Sequence, residues 1–194
     1  MTRSKRNLLP DGENLRRAVR WLSEHAPSTT ELINEAACRF DLTPLEEDFL
    51  IREFHTNRGW EHFHHQADIG VRGTGASMEQ AFEQAALALT AIVTDPDSIQ
   101  AVKTINIECA EQDMELLFVD WLNAVIYAMV TDNMLFNRFN VKINGDRLTA
   151  IVTGEDIDRD RHELAVEPKG ATLTELKVVR RDNGAWLAQC VIDV

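Results

Sequence analysis

The stretch MELLFVDWLNAVIYAMV, residues 114–130, constrains this chain more than any other. Asp113 stands before it as a helix N-cap, and apolar residues then occupy nearly every side of the helix. Such a helix has no face to give to water, so it must be buried in a packed core. The chain has the means: 194 residues, of which 44% are apolar. No wholly apolar run of about 18 residues occurs, so no membrane-spanning helix is expected. The N-terminal MTRSKRNLLPDGENL begins basic but lacks the apolar segment of a secretory signal. It reads as a frayed tail, and a cytoplasmic protein is expected.

Around the buried helix the pattern is α+β. GluHisPheHisHis, residues 61–65, reads as a strand. Ser77 and Gln80 cap a helix with Met78, Phe82, Ala85, Leu89 and Ile92 along one face, and Asp95-Pro96 ends it. Ile105, Ile107 and Cys109 alternate as in a strand. Asn144-Gly145 marks a hairpin, and Asp182-Asn183-Gly184 marks a second between LKVVRR and AWLAQCVIDV. The expectation is a mixed or antiparallel sheet with two main helices over residues 60–194.

Residues 1–59 follow a different grammar, that of three short helices and a linker. Leu15, Ala18, Val19 and Leu22 share a helical face, and Pro27 stops that helix. Ser28 with Glu31, and Thr43 with Glu46, have the form of capping boxes, and Pro44 takes the first helical position of the third helix. Leu45, Phe49, Leu50 and Phe54 make its apolar stripe. The tight Phe40-Asp41-Leu42 connection resembles a helix-turn-helix outline. A DNA reader needs basic groups on the second of those helices. This one carries Glu46, Glu47, Asp48 and Glu53 against a lone Arg52, which points to a protein–protein module instead. HisThrAsnArgGly, residues 55–59, would be the linker.

Charge divides the same way. Residues 1–59 hold 9 basic and 10 acidic groups, net −1, and residues 60–194 hold 11 and 22, net −11. The acidic second region repels a phosphate backbone and suits a cation or a basic protein partner. Cys38, Cys109 and Cys190 form no CxxC pair, and each is expected to fill a core position.

Two chemistries compete in HFHHQADIG, residues 62–70. On a strand, His62 and His64 would share one face and Phe63 and His65 the other. A zinc site on that histidine pair needs further ligands that no nearby motif supplies. Asp68 is expected in a loop, where Gly70 and Gly73 would let the backbone approach a ligand. The chain ends Val191-Ile192-Asp193-Val194 on a strong strand pattern. If that strand lies beside the first, Asp68, Asp193 and the carboxylate of Val194 would converge. Three hard oxygen anions would repel one another unless a cation sat between them, and they suit Ca²⁺, Mg²⁺ or Mn²⁺.

The segments HHQADIGVRGTGASMEQAFEQAALALTAIVTD, DWLNAVIYAM, VTGEDIDRDRHEL and the final VIDV resemble, in order, the archease family. The resemblance covers residues 60–194. It implies a protein cofactor, not itself an enzyme, that activates a GTP-dependent tRNA-splicing RNA ligase by promoting the ligase's guanylylation and repeated turnover. RNA would be met only through the ligase. The family's metal-binding residues fall on Asp68, Asp193 and Val194. Lys169 is expected to contact a phosphate or an acidic group of the partner, with Arg161, His162 and Glu163 in lesser roles and His65 supporting Asp68 from behind. Gln66 stands where the family usually has threonine, and Pro168 where it has a β-branched residue. Two other readings stay open: a metal-dependent phosphoester hydrolase, and a nucleic-acid-binding regulator acting through residues 28–54. The helical region 1–59 carries no implication from the resemblance, and no pattern in the chain signals its oligomeric state.

Overall fold

The computed structural model describes residues 12–24, 30–54, 59–65 and 67–194. The chain divides into two compact units, Met1–Thr56 and Asn57–Val194.

The first unit holds α1 (Glu13–Glu24), α2 (Thr30–Arg39) and α3 (Pro44–Phe54). Its core is small: Ala18, Leu22, Ile33, Ala36 and Leu50, flanked by Leu15, Val19, Trp21, Leu32, Phe40 and Leu42. Asp41 adopts the left-handed conformation, at φ 49°, and closes α2 as Leu42 N–H donates to Ala37 O at 3.0 Å. The capping box at α3 forms in both directions. Thr43 Oγ1 accepts from Glu46 N–H, and Glu46 Oε2 accepts from Thr43 N–H at 2.9 Å. The expected stripe on α3 splits. Leu50 is buried, whereas Leu45 and Phe49 face solvent at 78% and 43% exposure. The Ser28 box, Pro27 and most of the 55–59 linker lie outside the described residues, and Gly59 already belongs to the first strand.

The second unit is built from β1 (Gly59–His65), β2 (Asp68–Gly75), α4 (Met78–Val93), β3 (Lys103–Ala110), α5 (Met114–Thr131), β4 (Met134–Asn144), β5 (Arg147–Asp156), β6 (Gly170–Ala171), β7 (Lys177–Arg180) and β8 (Trp186–Asp193). Two antiparallel sheets form. One runs β1-β2-β8-β6, with β7 also paired to β8, and the other runs β3-β5-β4. Helix α4 packs on β1, β2 and β8 of the first sheet and on β4 of the second. Helix α5 packs on β6 and β7 of the first and on β3 and β4 of the second. The helices are therefore the filling of a three-layer β/α/β unit, and one continuous core runs through all three layers.

That layering accounts for the sequence. Asp113 caps α5 by accepting from Glu115 and Leu116 N–H at 2.8 and 3.1 Å. Leu117, Phe118, Trp121, Leu122 and Val125 are fully buried. The burial is not complete: Leu116, Tyr127 and Val130 stand 42%, 70% and 62% exposed along one stripe. By length and composition α5 is also long and apolar enough to cross a membrane, contrary to the expectation, but half of it is buried inside this core.

Helix α4 meets β2 at a distance only glycine allows. A Cβ on Gly73 would lie 2.0 Å from Ala81 O and 2.3 Å from Ala85 N, and one on Gly75 2.8 Å from Ala81 N. Both hairpins form, Asn144 pairing with Arg147 across Gly145 at φ 63°, and Gly184 turning at φ 84°. Of the cysteines, Cys190 is buried and Cys109 half-buried, with thiols pushed up by burial to about 12 and about 11. Cys38, expected in a core, is exposed.

Candidate functional site

Asp68 does not sit in a loop. It is the first residue of β2, directly after the β1–β2 turn, and Gln66 in that turn lies outside the described residues. Gly70 and Gly73, expected to admit a ligand, serve packing. A Cβ on Gly70 would lie 2.3 Å from the ring of Phe63, and Gly73 makes room for the backbone of α4. The Phe63 ring in turn carries the Arg72 guanidinium, 5.0 Å from its centroid.

The sheet register assembles the site. Pairing of β1 with β2 sets His65 opposite Asp68, and pairing of β2 with β8 sets Ile69 opposite Ile192. One residue beyond that last pair stand Asp68 on β2 and Asp193 on β8. Gly170 of β6 pairs with Asp193 from the other side. His65, Asp68, Asp193 and Gly170 thus stand at the same end of four neighbouring strands, and side chains directly opposite one another share a face. Asp193, at the exposed end of β8, is about half open to solvent.

Lys169 completes this corner. Its N–H donates to Asp193 O at 2.9 Å. Its Nζ donates to Val194 O at 2.7 Å and lies 3.9 Å from Asp193 Oδ1. Pro168 does not disturb the local strand, because β6 begins only at Gly170. Ala171 N–H donates to Asn123 Oδ1 of α5 at 2.8 Å, and Thr172 Oγ1 donates to Val191 O at 3.0 Å. Asn123 is a positioning residue that the sequence did not betray, since one polar side chain in an apolar helix has many explanations.

The corner gathers the Asp193 carboxylate, the Val194 main-chain oxygen and the Lys169 ammonium, with Asp68 at the neighbouring end of β2. Among the described residues, no group of three or more His, Cys, Asp or Glu side chains is placed to hold a metal, and this set has only two such side chains. His65 Nδ1 is buried without a hydrogen-bond partner, a polar atom at the site's edge left open for one. His62 is tied to α4, its Nε2 lying 2.7 Å from Ala88 O.

The DRDRHEL segment is not one contact surface. His162 is 2% exposed and cannot touch a partner. Its Nδ1 accepts from Asp158 N–H at 3.0 Å, so Nε2 carries the hydrogen and donates to Glu155 Oε1 at 3.2 Å. Arg161 makes a two-pronged pair with the same carboxylate, Nη1 to Oε1 at 3.0 Å and Nη2 to Oε2, and also donates to Ser98 O at 2.9 Å. Gln100 N–H donates to Glu155 as well. These hydrogen bonds, Arg161's first, hold the Glu155 carboxyl well below the ordinary range, at about 2, although burial pushes the other way. His162 is thus an internal tie, Arg161 is tied to Glu155 yet keeps 36% of its side chain open to solvent, and Glu163 stays exposed. Glu155 was missed because nothing in the spacing pairs a strand-end glutamate with a turn six and seven residues on.

Residues 60–194 match the model of the Archease protein family. The chain belongs to the archease family. Protein archease of Pyrococcus abyssi is 34% identical over 139 residues, covering 70% of this chain and 98% of that protein. Protein archease of Pyrococcus furiosus is 36% identical over 141 residues, covering 71% of this chain and 99% of its own. The solution structure of protein 1598 of Methanobacterium thermoautotrophicum superposes with a TM-score of 0.63 at 32% identity, covering 70% of this chain and 99% of that one. The archease match and the β/α/β unit span the same residues, and the three-helix unit precedes them.

Proposed function

We propose that this protein is an accessory factor of a GTP-dependent tRNA-splicing RNA ligase, promoting the ligase's guanylylation and multiple turnover. Membership of the archease family supports the accessory role. The observation that supports carrying the reading to particular residues is the β2–β8 register ending at Ile69 and Ile192, one residue short of Asp68 and Asp193, with Lys169 against Val194.

In this reading Asp68, Asp193 and the Val194 oxygen hold a divalent ion, and His65 orients Asp68 or a bound water from behind. Such an ion supplies charge neutralisation at the phosphates during nucleotidyl transfer. Lys169, freed from Val194 when the corner is occupied, turns to a phosphate or carboxylate of the partner, and the exposed Glu163 and Arg161 are open to further contacts. The acidic body of the second unit steers it to a basic, RNA-binding face of the ligase. Calcium, magnesium and manganese all suit the donor set.

The test is multiple-turnover RNA ligation by a ligase of this class, with and without this protein, at fixed GTP and metal. Stimulation by the wild type is expected, and loss of it in folded Asp68→Ala and Asp193→Ala. A well-folded wild type that leaves ligation by its own source's ligase unchanged would sink the reading.

A further inference from the structure

Between the end of β5 and the start of β6 the chain runs as a strap with no strand or helix of its own, residues 157–169. The strap has three backbone ties beyond its first turn. Ile157 N–H donates to Asn133 O at 2.9 Å, Ala165 N–H to Val93 O at 2.8 Å, and Lys169 N–H to Asp193 O at 2.9 Å. Beneath it lies a cavity of about 400 Å³ lined by residues such as Val93, Met129, Leu135, Leu164 and Val166. The strap is therefore not held down by close packing along its length. Leu164 and Val166 remain 38% and 36% exposed.

Its near end is fixed by a separate set of bonds. Asp158 Oδ1 accepts from Asp160 N–H at 3.0 Å, and Asp158 O accepts from His162 N–H at 2.7 Å, folding a tight turn. That turn delivers Arg161 and His162 together to the buried Glu155 carboxylate, which is 7% exposed. A buried carboxylate that receives a guanidinium fork, an imidazole N–H and a backbone N–H leaves one geometry for the donors. The turn is thereby pinned to the end of β5 and, through Ser98 and Gln100, to the segment after α4.

We infer that the Glu155–Arg161–His162 clasp is a positioning device: it sets the strap's path so that Lys169 arrives at the Asp193–Val194 corner. None of the three touches that corner. They act through the strap, whose far end is Lys169. The inference rests on the proposed role of the corner only for its consequence, since the placement of Lys169 is measurable without metal. The consequence has a direction. An ammonium held against Val194 O and near Asp193 opposes entry of a cation, so loosening the clasp raises cation affinity. Damage to the fold would lower it.

Two measurements on the full chain test this, using Arg161→Lys, which keeps the charge but loses the fork, and Arg161→Met as the stronger variant. The first is native-state amide hydrogen exchange without metal. Losing charge-assisted hydrogen bonds of this kind predicts about tenfold or faster exchange at the Ala165 and Lys169 amides, with the β8 interior amides of Ala188 and Cys190 unchanged. Unchanged exchange at Lys169, or equal acceleration through β8, would overturn the inference. The second is calorimetric titration with Ca²⁺ and Mn²⁺. Tighter binding in Arg161→Lys, absent when Lys169→Met is already present, supports it, and weaker binding in either background overturns it. Local acceleration of exchange in a protein whose wild type binds neither ion would leave the clasp standing and sink the metal reading alone.

Discussion

At the scale of single residues, two carboxylates and one buried glutamate carry different burdens. Asp68 and Asp193 stand one residue beyond the last β2–β8 pair, Ile69 with Ile192. On the proposed metal reading, Asp68→Asn or Asp193→Asn is expected to weaken Ca²⁺ or Mn²⁺ binding by more than the roughly 10–100-fold typical of losing an outer partner, whereas His65→Ala falls within that span. Titration calorimetry on the three variants checks the ranking, and a His65→Ala loss as complete as that of Asp68→Asn would make His65 a ligand. Glu155 titrates with the fold. Its carboxyl is lowered from 4.5 to about 2, so the folded state holds fewer protons than the unfolded chain between those values. Its contribution to stability is in full force above pH 4.5 and is lost as pH falls through about 2. Urea midpoints measured from pH 5 downward are expected to fall more steeply for the wild type than for Glu155→Gln. Equal slopes would show that the carboxylate is not held ionised by the clasp.

At the scale of elements, the closest fit in the molecule is α4 on β2. A methyl group at Gly73 would meet backbone atoms of two successive turns of the helix, which cannot rotate away as a side chain can. Gly73→Ala is therefore expected to cost about 1–3 kcal/mol or more, read as a drop in the urea midpoint at unchanged slope. Gly145, which turns the β4–β5 hairpin, illustrates the contrast: an added Cβ there meets nothing within 4 Å, and its need for glycine is the positive φ alone. Helix ends and turns were the most legible elements. Ser77, Asp113, Thr43 with Glu46, Asn144-Gly145 and Asn183-Gly184 all act locally, and a local hydrogen bond or a positive φ is written in neighbouring residues. The Leu45–Phe49 part of the α3 stripe misled because helical periodicity names a face without naming what covers it.

At the scale of the whole molecule, the chain has two compact units, and the family match coincides with one of them. The archeases of Pyrococcus abyssi and Pyrococcus furiosus are spanned almost end to end by that part alone. Residues 57–194, expressed without the helical unit, are expected to fold with a cooperative transition and to retain the larger part of any stimulation of the ligase. Loss of stimulation in a folded fragment would assign the helical unit a part in the activity. The net charge of −12 leads to a separate expectation. On the proposed function, association with a basic ligase face should slow as salt rises, with the dissociation rate changing less, in a stopped-flow series over ionic strength.

From its sequence alone this protein's class, its division and most of its caps and hairpins could be named, and Asp68, Asp193 and Lys169 could be proposed, because each follows from periodicity, from neighbours in the chain or from a family motif. The tertiary structure alone decided that the two core helices lie between two sheets and that Gly70 and Gly73 serve packing. It also turned Arg161 and His162 inward to Glu155. The reason is the same in each case. Which face of a strand or turn is covered, and by what, depends on partners far along the chain, and those partners are set by sheet register and layer packing rather than by any local pattern.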